Sequence, residues 1–133
     1  MNIIYSKGLP REYRPVVDKL LNEHLYICPL WLQRIYVGFD STENIIASWE
    51  LNQDYRRAHL TIGIDFLHVD DEMRRETIIH ELIHSFTIPL KKVCCDAFND
   101  LDVDERLGTV LLRRIDEVME QVTQDFTYSL ARK

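Results

Sequence analysis

Glycine and proline are scarce in this sequence, which has four of each among its 133 residues. Disordered chains and loop-rich all-β folds normally contain more of both, so these two classes are disfavoured. Cysteine is also rare: the chain has an odd number, Cys28, Cys94 and Cys95, and they show no C-x-x-C spacing. Such a set does not indicate a disulfide framework. We therefore expect free thiols and a reducing compartment.

Long apolar segments and an excess of positive charge are missing as well. No apolar run approaches the roughly 18 residues that a membrane-spanning helix requires. Residues 1–8 lack the apolar segment of a signal peptide, so we expect a cytoplasmic protein. The net charge of −6 argues against binding to nucleic acid. With 46% apolar residues, the chain is expected to form one globular domain, 1–133, that binds neither membranes nor nucleic acid.

The first half of the chain predicts a helix and then a small sheet. Helical periodicity extends over about 12–27; Pro10 and Pro15 bracket the start of this predicted helix, and Pro29 ends it. Three strand-like runs follow, at 30–39, 45–51 and 57–66, with turns at 40–44 and 52–54. Because turns this short join antiparallel neighbours, we predict a three-stranded, largely antiparallel sheet.

The second half predicts two helices, which makes the fold class α+β. Acidic residues at 70–72 suit the start of a helix over 71–87, which Pro89 would end. Residues 90–101 are expected to be irregular. A long last helix then begins after Asp102 or Asp104 and reaches about residue 130.

The pattern His80-Glu81-x-x-His84 lies within the predicted helix 71–87. On a helix the two histidines fall one turn apart on the same face, where both imidazoles can bind one Zn²⁺. Glu81 lies beside them and can act as a general base. Apolar neighbours predict that the helix is buried, and buried ionisable groups are costly unless they are paired or bound to a metal.

A third protein ligand is needed for a catalytic zinc site. The extended metzincin pattern has glycine and histidine where this chain has Thr87 and Leu90, so that pattern is excluded. The last helix contains no histidine or cysteine, which leaves a carboxylate as the remaining donor there. The candidates are Asp116, Glu117 and Glu120.

Helical phase and side-chain type disagree about these candidates. The apolar stripe of the last helix, centred on Ile115, is expected to be buried. At about 100° per residue, Asp116 lies about 100° from Ile115, Glu120 about 140° and Glu117 about 200°. Phase therefore favours Asp116, whereas the longer reach of glutamate favours Glu117. Both stay as candidates, with Glu120 third.

These motifs resemble the small zincin-type metallopeptidases of the gluzincin kind, especially the compact phage and bacterial proteins called minimal gluzincins. The resemblance spans 45–126: a strand, the His80–His84 motif and a later acidic helix. It implies that His80 and His84 bind zinc, that Glu81 is the general base and that a carboxylate near Asp116–Glu117 completes the site. The Glu-x-x-x-Asp motif of thermolysin-like enzymes and a second lobe are both missing.

The implied function is a zinc-dependent metalloendopeptidase that cleaves a protein or peptide substrate through a metal-bound water. The predicted third strand, 57–66, would pair with the extended substrate backbone. An oxyanion stabiliser is also needed. The candidate donors are Tyr55, His59, Arg113 and Tyr128.

Two other functions stay open. One is a non-catalytic, zinc-stabilised module that binds another protein. The other is a regulatory, protease-like protein that senses a signal and acts on a transcriptional repressor.

Overall fold

The computed structural model describes residues 1–42 and 44–132. Glu43, in a predicted turn, and Lys133, at the end of the predicted domain, lie outside the described residues. The described chain forms four strands and three α-helices. In chain order these are β1 (Asn2–Tyr5), α1 (Arg14–His24), β2 (Arg34–Asp40), β3 (Ala47–Asn52), β4 (Arg57–Gly63), α2 (Asp71–Asp100) and α3 (Glu105–Ala131). The predicted α+β class is confirmed.

The sheet is mixed, and its strand order is β1-β2-β4-β3. Strands β1 and β4 both run parallel to β2, while only β3 and β4 are antiparallel. The prediction of three largely antiparallel strands is therefore wrong. Residues 2–5, which lie outside the predicted strands, form a fourth strand because α1 provides the crossover that parallel pairing requires. The short turn after β2 does not make a hairpin, since β4 lies between β2 and β3.

The helices cover one face of the sheet. Ile35 and Val37 of β2 and Leu60 of β4 are buried on that face. They pack in one core with residues of α1 and α2. Because strand side chains alternate between faces, the intervening residues point to the opposite, uncovered face. His59 is one of these and is exposed.

Helix α2 begins as predicted and ends later than predicted. Asp70 caps it by accepting a hydrogen bond from the backbone N–H of Met73 at 2.8 Å. Pro89 was expected to end the helix, but it lies inside a helix that continues to Asp100. An internal proline costs about 3 kcal/mol. Packing of the second half of α2 along α3 offsets that cost.

Helix α3 follows its predicted boundaries but turns an unexpected face towards α2. Asp104 caps it, accepting from the backbone N–H groups of Arg106 and Leu107. Its buried residues are Thr123 and Thr127, whose hydroxyls donate to carbonyls of their own helix. The expected burial of the apolar stripe around Ile115 is wrong, because α3 packs through this threonine face. Within the described residues, no helix is both long and apolar enough to cross a membrane.

Candidate metal centre

His80 and His84 lie one turn apart on α2 and face Glu120 of α3. Their side chains are 20% and 16% exposed. The Nε2 atom of His80 lies 3.5 Å from one carboxylate oxygen of Glu120, and that of His84 lies 3.4 Å from the other. One donor atom from each residue can be chosen so that all lie within 4.8 Å of one another. We call these residues the His–His–Glu cluster.

The hydrogen bond between His80 and Gln124 determines where the imidazole proton lies. Nδ1 of His80 is 3.0 Å from Oε1 of Gln124. An amide oxygen can only accept a hydrogen bond, so Nδ1 carries the proton. The lone pair of the neutral ring therefore lies on Nε2, which faces Glu120.

A chain of hydroxyls lies beside the Nδ1 atom of His84. Thr123 donates its proton to the carbonyl of Met119 at 2.7 Å. The hydroxyls of Thr123 and Thr87 are 3.3 Å apart. Oγ1 of Thr87 is 3.1 Å from Nδ1 of His84. When Nδ1 donates in this contact, the Nε2 lone pair faces Glu120.

Two lone pairs that face a carboxylate repel it unless a cation lies between them. Zinc–ligand distances of about 2.0–2.1 Å in tetrahedral geometry place ligand atoms roughly 3.3–3.4 Å apart. The observed separations of 3.4 and 3.5 Å, each to a different oxygen of Glu120, are close to this spacing, and one donor atom from each residue lies within 4.8 Å of the others. Protonation of His84 would also relieve this repulsion. Burial, however, lowers the pKa of His84; Glu120 opposes this shift and His80 adds to it. The donor set therefore suits a divalent cation.

Glu81 lies beside the cluster in the same cavity, which has a volume of about 440 Å³. Its side chain is buried, with 8% of the residue exposed. Burial, and secondarily the negative charge of Glu120, raise the pKa of Glu81 to about 8. A carboxyl group in this position is suited to proton transfer with a molecule bound at the cluster.

The two favoured third ligands do not reach the histidines. Asp116 lines the cavity but forms an ion pair with Lys91. Glu117 is 3.8 Å from Arg114 of its own helix and does not line the cavity. The structure brings Glu120 to the histidines instead, because the threonine face of α3 meets α2. A sequence signal for this face exists: Glu120, Thr123, Gln124 and Thr127 follow the i, i+3, i+4, i+7 spacing.

The strand that borders the cluster is β3. The predicted substrate strand, 57–66, is mostly β4, which is paired on both sides and cannot accept another strand, so that prediction is wrong. Strand β3 lies at the sheet edge. The backbone N–H of Gly63 donates to the carbonyl of Ile46 at 2.9 Å. Because hydrogen-bonded and non-hydrogen-bonded pairs alternate along antiparallel strands, the backbone N–H and C=O groups of Ala47 and Trp49 point away from β4.

Two cavities along β3 extend to either side of the cluster. The first is lined by Ala47, Ser48 and Trp49 of β3 and by the cluster itself. The second, of about 310 Å³, is lined by residues that include Ile45, Ile46 and Met73. Ala47, His80 and Glu81 border both cavities. The cluster therefore lies within a groove that continues in both directions.

The predicted oxyanion donors lie elsewhere. His59 stacks on Tyr36, with ring centroids 5.1 Å apart, on the uncovered face of the sheet. Tyr55 and Tyr128 are 69% and 48% exposed. Neither these residues nor the exposed Arg113 line the two cavities at the cluster. Lys91 does line the larger cavity.

Comparison with protein-family models, curated proteins and solved structures finds no match to this chain. The resemblance to gluzincins thus stays a prediction, and the interpretation of the cluster depends on its own geometry.

Proposed function

We propose that this protein is a zinc-dependent endopeptidase. The observation that carries the proposal is the His–His–Glu cluster, in which two imidazoles and a carboxylate converge, with one donor atom of each within 4.8 Å of the others. Two nitrogen donors and one oxygen donor are a common ligand set for catalytic zinc. Glu120 is 61% exposed, which leaves room for a further ligand.

Each residue of the site has a role in this proposal. Zinc, when bound, lowers the pKa of a coordinated water to about 7 and polarises the scissile carbonyl. Glu81 accepts a proton from the attacking water and passes it to the leaving amine. The imidazoles of His80 and His84, held as neutral rings by hydrogen bonds at Nδ1, keep both Nε2 lone pairs directed at the metal position.

The sheet edge supports a peptide as the substrate class. An extended chain can pair with the outward-pointing backbone groups of Ala47 and Trp49 on β3. This pairing would place the chain alongside His80 and Glu81, which border the same cavity. Because the groove continues on both sides of the cluster, it suits cleavage within a chain rather than at its end.

The test measures metal content and hydrolysis on the same preparations. We expect about one zinc per chain by elemental analysis and cleavage of an unfolded protein or peptide library, detected by mass spectrometry. Glu81→Gln should retain zinc and lose hydrolysis, whereas His80→Ala should lose the metal. Full activity in Glu81→Gln, or unchanged zinc in His80→Ala, would contradict the assigned roles. Zinc binding without hydrolysis in the wild type would favour the zinc-stabilised binding module.

A further inference from the structure

An apolar stripe on helix α3 is left largely exposed. It occupies one face of α3, and we call it the outer stripe: Leu107, Leu111, Ile115, Val118, Val122 and Phe126. Leu107, Val118 and Phe126 are 53%, 52% and 57% exposed, and the other members are partly exposed. The hydrophobic core contains no member of the stripe among the described residues.

The packing of α3 explains this exposure. At about 100° per residue, Thr127 and Glu120 lie roughly 160–180° from Leu111. These residues face α2, so the outer stripe points in the opposite direction. From Leu107 to Phe126 the stripe is about 29 Å long. An exposed apolar face of this extent marks an interaction surface.

The spacing of the outer stripe identifies a second copy of this chain as the occupant. Successive members are separated by four, four, three, four and four residues, a series that reads the same in both directions. When two such helices pair antiparallel, Leu107 faces Phe126 of the second copy, and Leu111 faces its Val122. Ile115 then faces Val118 across the two-fold axis. Every member of the outer stripe therefore meets another member.

The charged residues beside the stripe complement one another in the same pairing. Arg114 and Asp125 flank the stripe, and Arg106 and Glu117 lie farther round on the same side of α3. In a two-fold pairing, this side of α3 lies beside the same side of α3 in the second copy. Arg114 then lies near Glu117 of the second copy, and Arg106 lies near its Asp125. Arg114 and Glu117 are 76% and 58% exposed, so both are available for this contact.

We propose that the outer stripe mediates an antiparallel homodimer. A shallow apolar depression of about 190 Å³, lined by Leu111, Ile115 and Val118, lies at the proposed two-fold axis and can receive side chains of the second copy. Glu120 lies on the opposite face of α3, so the dimer leaves the metal centre open. A contact one helix wide is at the small end of specific interfaces, and a micromolar dissociation constant is expected.

Sedimentation velocity over about 1–300 µM protein tests the dimer. The wild type should change from monomer to dimer across this range. Val118→Glu should raise the dissociation constant at least 100-fold and retain the native circular dichroism spectrum. Val93→Glu is the matched control, since Val93 is 65% exposed on α2, and it should dimerise normally. A wild type that is monomeric throughout, or a Val93→Glu variant as defective as Val118→Glu, would overturn the proposal.

A charge exchange between two variants tests the flanking contacts. Arg114→Glu alone and Glu117→Arg alone place like charges opposite each other, so each should dimerise at least tenfold more weakly than the wild type. An equal mixture should dimerise, because each charge in one variant then meets its opposite in the other. Within each variant chain, positions 114 and 117 carry like charges, and mixing does not change this. Restored dimerisation would therefore show a contact between the two chains. Failure of the mixture to dimerise would reject the proposed flanks.

Disulfide trapping tests the antiparallel orientation. In a variant whose three native cysteines are replaced by serine, Ile115→Cys and Val118→Cys proteins should cross-link to each other on mixing and oxidation. Preferential cross-linking of Ile115→Cys to itself would indicate a parallel pair and would overturn the proposed register.

Discussion

Gln124 of α3 accepts a hydrogen bond from Nδ1 of His80 on α2, with the two atoms 3.0 Å apart. The same turn of α3 contains Glu120, which faces Nε2 of that ring. One helix therefore supplies a candidate ligand and also sets the tautomer of another. A shift of α3 along α2 would therefore move both Glu120 and Gln124 relative to His80, and so would change zinc affinity.

Removal of this acceptor should weaken zinc binding. Gln124→Leu leaves Nδ1 of His80 without a partner, and loss of such a contact typically reduces metal affinity about 10–100-fold. Competition with a chelator of known affinity measures the change. Gln121→Leu is the control, because among the described residues the Gln121 side chain hydrogen-bonds only to the exposed Asp125 on its own helix. Equal affinities in the two variants would contradict the orienting role.

The identity of the third ligand can be tested with three conservative variants. Glu120→Gln should reduce zinc affinity more than 100-fold, since it removes a charged ligand rather than an orienting contact. Asp116→Asn and Glu117→Gln should bind zinc within a few fold of the wild type, because their side chains pair with Lys91 and Arg114. The same chelator competition applies. A larger loss in either of these two variants would move the ligand assignment away from Glu120.

Gly63 should tolerate no side chain. A Cβ atom there would lie 1.8 Å from the carbonyl oxygen of Ile45, so the chain leading into β3 would have to move. Overpacking of this kind costs about 1–3 kcal/mol or more. Gly38→Ala is the control, because no atom of the described residues lies within 4 Å of the added Cβ. Urea unfolding in the presence of a chelator should show destabilisation only for Gly63→Ala. Equal stabilities would show that the Ile45 backbone adjusts freely.

His24 should make the protein less stable in mild acid. It is 5% exposed, and both ring nitrogens lack a hydrogen-bond partner among the described residues. Burial lowers its pKa, Arg75 lowers it further, and Glu23 opposes the shift. Because the pKa is lower in the folded state, the unfolded chain binds more protons below about pH 6.5, and stability falls as the pH falls.

A non-titrating variant isolates the contribution of His24. The unfolding free energy of the metal-free wild type should decrease more between pH 7.5 and 5.5 than that of metal-free His24→Leu. Urea titrations at several pH values provide the comparison. Parallel pH profiles for the two proteins would show that His24 does not contribute.

Local periodicity determined a large part of the site. Once 71–87 was predicted as a helix, the spacing of His80 and His84 placed them one turn apart on one face, with Glu81 beside them. The capping residues Asp70 and Asp104 likewise marked helix starts through contacts within a few residues. Side-chain alternation along β4 separates buried Leu60 from exposed His59. All of these features depend on neighbours in the sequence.

Contacts between distant segments decided the rest. Asn2–Tyr5 became a strand only through pairing with β2, and short turns did not reveal that β4 would lie between β2 and β3. Pro89 stayed within α2 because packing along α3 offset its local cost. In the candidate metal centre, the sequence by itself determined the two histidines and the glutamate between them. Tertiary structure decided that Glu120 faces them, because α3 packs on α2 through its threonines and leaves its apolar stripe outside.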